Sequence, residues 1–209
     1  MEATSDPLLF LAMVAFISMS GALMPGPMFA TAVHRGLEDG RAGIKMAVGH
    51  AIVEIPLIIA IFFGLEAILR NETVFAAIGL VGGVFLLHMG ASMFRAKLDE
   101  PGRKDSKHGS VVAGIILTAA NPYFILWWAT VGASLVVLAS GFGLWIVPLF
   151  AAVHLACDFG WFFVVSLAVN RSRTFWTGNR YRYLYGACGT ILIVFALYFI
   201  YSSIAGLAG

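Results

Sequence analysis

Charge is what this sequence has least of. Only 11% of its 209 residues are charged while 60% are hydrophobic, and mean hydropathy is +0.91. Soluble domains carry roughly 25% charged residues, so a soluble globular fold is excluded. Cysteine is almost missing too. The two present, Cys157 and Cys188, both fall inside apolar runs, where they read as small polarizable packing residues and imply no disulfide framework. Phosphate-binding and haem-binding signatures are absent, as is any motif that places a nucleophile, which leaves an intramembrane enzyme the weakest reading. No cofactor and no nucleic-acid partner are expected. The first residues, Met1–Pro7, hold Glu2 and Asp6 instead of a basic stretch and precede no small-x-small site. They read as the start of a retained helix, not as a signal peptide.

Long apolar runs are what the chain has in abundance. Six of them, at about 8–33, 44–69, 74–94, 111–138, 143–169 and 183–205, are long enough for a hydrocarbon core about 30 Å thick. The expected fold is an all-α membrane protein of six transmembrane helices. Twelve of the thirteen basic residues lie in the first, third and fifth connections: Arg35, Arg41 and Lys45; Arg95, Lys97, Arg103, Lys104 and Lys107; Arg171, Arg173, Arg180 and Arg182. Only Arg70, four residues after Glu66 and spaced to pair with it, lies on the other side. The positive-inside rule puts those three loops in the cytoplasm and both termini outside.

Two of the runs are interrupted. Pro25-Gly26-Pro27 cuts the first and Asn121-Pro122 the fourth, because proline withholds a backbone donor and clashes with the preceding turn. Pro56 adds a weak point in the second. The polar stretch 95–109, with Pro101-Gly102 at its middle, divides the chain into 1–94 and 110–209. Corresponding features recur across that division: Pro25 and Pro122 at an offset of 97, His50 and His154 at 104, and the pairs Gly79/Gly82 and Gly186/Gly189 at 107. Three helices per half is an odd number, so the second half must insert upside down. Inverted repeats with broken helices at matching places are the sequence mark of secondary transporters. Gly79 and Gly83 form a GxxxG face, and the glycine faces of the third and sixth helices make a homodimer possible. His88 reads as a satisfied polar residue.

Only two acidic residues lie deep in the apolar runs, and each stands four residues after a histidine: His50 with Glu54, His154 with Asp158. Positions i and i+4 share a helix face. An ionised group at the bilayer centre costs about 2.5–3.5 kcal/mol on insertion scales, so these carboxyls need a proton, a histidine or a cation. Brought together by the repeat, the four side chains favour positive charge: a proton, a cationic or zwitterionic amino acid, or a divalent metal held by two imidazoles and two carboxylates. Tyr123, Trp127, Trp128 and Trp161 can supply a cation–π wall. Unwound backbone at Pro25–Pro27 and at Asn121–Pro122 offers amides to an anionic group, and Asn121 presents both a donor and an acceptor.

Pro25-Gly26-Pro27, the glycines Gly36, Gly40, Gly43 and Gly49 that follow, the third-helix glycines and Asn121-Pro122 resemble the lysine exporter (LysE/RhtB) superfamily of amino-acid exporters over nearly the whole chain. The resemblance implies a small polytopic efflux carrier in the plasma membrane of a prokaryote, driven by a proton or other ion gradient, with both proline elements near the path. More distant members of that superfamily move divalent metals. The chain departs from the family pattern at Tyr123, where many members have lysine, and in its two His–acid pairs.

Overall fold

The computed structural model describes residues 6–69, 71–95, 109–176 and 179–208. Arg70, Lys97, Arg103, Lys104, Lys107 and Pro101-Gly102 lie outside them, and with them the Glu66–Arg70 pairing. Among the described residues the chain is helical throughout, with no strand.

Helix α1 (Pro7–Ala22) starts where Asp6 accepts a 2.8 Å bond from the Leu8 amide and Pro7 occupies the first turn, a position where its missing N–H is not needed. It stops before Pro25-Gly26-Pro27. Gly26 is extended (φ −134°, ψ −170°) and α2 (Pro27–Gly36) begins on Pro27, its axis bent 82° from that of α1. Asp39, in the turn that follows, accepts 2.8 Å bonds from Lys45 Nζ and the Arg41 amide. Those donors, Lys45 foremost, hold its carboxyl below the ordinary carboxylate range.

Helix α3 (Ala42–Ala60) contains Pro56 and is followed by a kinked turn at Ile61–Leu65 and the short α4 (Glu66–Leu69). Gly64 in that turn has φ 105°, a left-handed value that glycine takes without a Cβ clash. Helix α5 (Glu72–Arg95) is followed by α6 (Ser110–Ala119). Asn121 then caps α7 (Pro122–Trp127) by accepting from the Tyr123 amide at 3.1 Å. A π-helical turn, Trp128–Gly132, leads into α8 (Ala133–Gly141), and α9 (Ile146–Arg171) and α10 (Asn179–Ala208) complete the chain.

Polarity is distributed inside out relative to a soluble protein. Phe16, Phe63, Val81, Leu144 and Tyr201 are more than 70% exposed, whereas Ser18, His50, Glu54, Thr118, His154 and Asp158 are buried. That arrangement suits a hydrocarbon solvent. Among the described residues five helical stretches are long and apolar enough to cross a bilayer, and the bent α1–α2 pair makes a sixth if counted as one span. The protein is a multi-pass membrane protein.

The helices pair closely because glycines let them. Helix α3 packs on α6 and α9, α9 also on α1 and α2, and α5 on α10. A Cβ on Gly49 would overlap the Val111 carbonyl, one on Gly114 the Met46 carbonyl, and one on Gly43 the Phe162 carbonyl. The glycine faces of the third and sixth apolar runs are used within the chain: Gly83 lies against Ile200 and Gly90 against Gly189. Backbones this close exclude any side chain.

Substituting Gly114→Leu must push α3 and α6 apart, at an expected cost of about 1–3 kcal/mol or more. Gly160, with open space around its Cα, is the control. Thermal unfolding of the two purified variants in detergent is expected to show a large loss for Gly114→Leu and almost none for Gly160→Leu.

Candidate functional site

The two His–acid pairs come from α3 and α9, which pack on each other and turn both motifs inward. Glu54 is the common point. His50 Nε2 and His154 Nε2 each lie 3.1 Å from Glu54 Oε1, and Trp128 Nε1 donates to the same oxygen at 3.1 Å. The Glu54 side chain is only 1% exposed. Asp158 approaches the same ring nitrogens, with Oδ2 at 3.7 Å from His50 Nε2 and 3.5 Å from His154 Nε2. Neither distance makes a hydrogen bond. Glu54 Oε2 and Asp158 Oδ2 are buried and lack a hydrogen-bond partner.

The far ring nitrogens are also tied. His50 Nδ1 lies 2.8 Å from Thr118 Oγ1, and His154 Nδ1 lies 2.7 Å from Ser18 Oγ. Aromatic rings fix the imidazole planes. Phe124 meets His50 edge-on at 5.3 Å; Trp127 stacks on His154 at 5.2 Å and Trp128 meets it edge-on at 5.1 Å. Both tryptophans stand where α7 passes into the π-helical turn that starts at Trp128, and such turns recur at functional sites.

A cavity of about 60 Å³ opens onto these groups. Gly26, Asn121, Tyr123, Trp127 and Trp128 line it together with the four His and acid residues. Pro25, Pro27 and Pro122 do not line it. They stand at the helix breaks, and Pro122 packs against Gly82, where a Cβ would come within 2.6 Å of the proline ring. Trp161 is also elsewhere, stacked on Phe29 at 6.2 Å. Trp127 Nε1 bonds Ser20 Oγ at 3.3 Å, so both cavity tryptophans are engaged in the polar network. Asn121 Oδ1 caps α7 by accepting from the Tyr123 amide, and its side-chain N–H groups and the second lone pair of that oxygen are left for the cavity.

Ser18 and Thr118 are the residues that sequence reasoning missed. Hydroxyls are common in membrane helices, and only their closeness to the two breaks, four residues before the end of α1 and one before the end of α6, could have drawn attention to them.

The sequence model of the LysE type translocator family matches residues 19–203, a span that takes in both helix breaks and all four buried His and acid residues. The chain belongs to the LysE type translocator family. No curated protein and no solved structure matches it. In this translocator the buried His and acid residues converge between packed helices, as a membrane carrier's polar centre must if it is to be shielded from lipid.

Removing the acceptor has a predictable cost. Trp128→Phe keeps the ring but withdraws one donor, and should cost about 1 kcal/mol. Glu54→Ala removes the shared partner of Trp128 Nε1 and both imidazoles and is expected to cost at least ~3 kcal/mol. Thermal unfolding followed by tryptophan fluorescence ranks the two.

Proposed function

We propose that this translocator is a secondary-active exporter of an amino acid or similar small amine, coupled to protons and working by alternating access. The observation that carries the reading is the convergence of two His–acid pairs from different halves of the chain on one buried cavity. A buried carboxylate oxygen without a donor requires a proton or a cation, and Glu54 Oε2 and Asp158 Oδ2 both stand in that position. A substrate ammonium group, with three donors, fits there. The substrate carboxylate goes to the start of α2, where no side chain caps the helix and Gly26 lines the cavity. A helix N-terminus favours negative charge.

Protons arriving from outside load Glu54 and Asp158, relayed by His50 and His154. A volume of about 60 Å³ takes a few water molecules, at roughly 10–15 Å³ each by the same measure, or an ammonium group, but not an entire amino acid. Cargo therefore enters only when the surrounding helices part, as alternating access provides.

The architecture assigned to this cycle is six spans in two inverted three-helix repeats, 1–94 and 110–209, joined by a cytoplasmic linker at 95–109. The helix pairings support it: α3 with α6, α9 with α1, α3 with α9 and α5 with α10 form a set that maps onto itself when the halves are exchanged. The basic loops face the cytoplasm and both termini the outside of a prokaryotic plasma membrane. Because the glycine faces of α5 and α10 are occupied within the chain, a homodimer needs another surface.

The test is efflux from proteoliposomes loaded with a panel of radiolabelled amino acids under an imposed pH gradient. Glu54→Gln combined with Asp158→Asn should reduce gradient-driven efflux by at least about tenfold. Transport by the double variant at the parent rate would refute the coupling assignment.

One observation favours a second reading, export of a divalent metal cation. His50, Glu54 and Asp158 offer one ligand atom each, all within 4.8 Å of one another, and His154 Nε2 adjoins them. Imidazole with carboxylate suits transition metals. Protein incubated with manganese or zinc and then desalted should retain about one equivalent by elemental analysis and lose it in His50→Ala. Substoichiometric metal in the parent protein would remove this reading.

A further inference from the structure

Each imidazole in the cavity is held at both ends by groups of different kinds. Nε2 faces the carboxylates, while Nδ1 faces a hydroxyl that comes from a broken helix in the other half of the chain: His50 on α3 reaches Thr118 on α6, and His154 on α9 reaches Ser18 on α1. Both hydroxyl residues are buried. Resting on the reading of this cavity as a cation-handling centre, we infer that Thr118 and Ser18 are positioning residues. They keep the N–H on Nδ1 of each histidine, and so reserve each Nε2 for the cation the cavity takes.

Hydrogen accounting gives the direction we assign at Thr118. A hydroxyl has one hydrogen to donate and two lone pairs to accept with. The Thr118 hydroxyl has Met28 Sδ within reach as an acceptor, 3.7 Å away. With its hydrogen turned there, it offers His50 Nδ1 at 2.8 Å a lone pair, and Nδ1 carries the hydrogen in the state we infer. Nε2 then bears either a second proton, donated to Glu54 Oε1, or a lone pair open to a cation. In both states the exchanging position is on the cavity side. Ser18 is fully buried and stands 2.7 Å from His154 Nδ1, the same arrangement reached from the opposite half.

The arrangement follows a general rule for histidines that handle cations. The nitrogen away from the ion donates to a fixed acceptor, which sets the tautomer and the ring plane. Here the acceptors belong to the helices that break. Thr118 is one residue from the end of α6 and Ser18 four from the end of α1, so movement of a broken helix and arrival of a cation act on the same ring from its two sides.

The experiment has two arms. In the first, 15N-histidine-labelled protein in lipid nanodiscs is compared by NMR with Thr118→Val and Thr118→Ser, the His50 signals being identified by their loss in His50→Gln. A hydrogen-bonded Nδ1–H on His50 is expected in the parent and in Thr118→Ser, and a shift to mixed tautomers in Thr118→Val; Ser18→Ala should do the same to His154. A bare Nδ1 in the parent, or an unchanged His50 in Thr118→Val, overturns the inference. Because the parent spectrum alone can do so, the arm survives a variant that fails to fold. In the second arm, efflux of radiolabelled lysine should fall about tenfold in Thr118→Val and stay near the parent rate in Thr118→Ser. Valine as active as threonine overturns the role. If the parent moves no amino acid, the export reading fails while the NMR arm still decides the tautomer.

Discussion

A single carboxylate oxygen ties the centre of this protein together. Glu54 Oε1 lies 3.1 Å from His50 on its own helix and from His154 on α9, and accepts from Trp128 in the turn after α7. A bare carboxylate at the middle of a bilayer is expensive, and its cost is offset only by donors within hydrogen-bond reach. The donors arrive from separate elements, so the backbones carrying them must come close. That requirement explains where the glycines fall. Gly49 precedes His50 and lets α3 meet α6 beside Thr118, while Gly43 lets α3 meet α9.

Irregular backbone does the rest. Trp127 and Trp128, where α7 passes into a π-helical turn, both meet His154. The breaks after α1 and α6 end those helices near the cavity and open a helix start, at Gly26, toward it. Backbone of this kind survives in hydrocarbon only where it is lined by protein or water, and here it borders a buried polar cluster.

The two acids are not equivalent, despite their matching places in the sequence. Glu54 Oε1 lies 3.1 Å from both imidazoles, whereas Asp158 Oδ2 stands 3.7 Å and 3.5 Å from them without a hydrogen bond. One carboxylate is tied into the network more closely than the other. The hydroxyls of Thr118 and Ser18 meet the imidazoles from behind.

The i, i+4 spacing of His50 with Glu54 and of His154 with Asp158 was legible in the sequence, because four residues on a helix fix a shared face whatever surrounds it. So were the apolar runs and the proline interruptions, since a bilayer demands length and proline refuses an i−4 bond. Contacts between distant segments leave no local trace. That Thr118 backs His50, that Ser18 backs His154, and that Trp161, counted with the cavity aromatics, stacks on Phe29 instead depended on which helices cross and how closely. Asn121 illustrates the same limit: its type and place were plain, but its oxygen went to capping α7 because a helix starts there. Sequence alone determined the chemistry carried on each helix; tertiary packing decided which pairs of it meet, because meeting is set by backbone approach at glycines far apart along the chain.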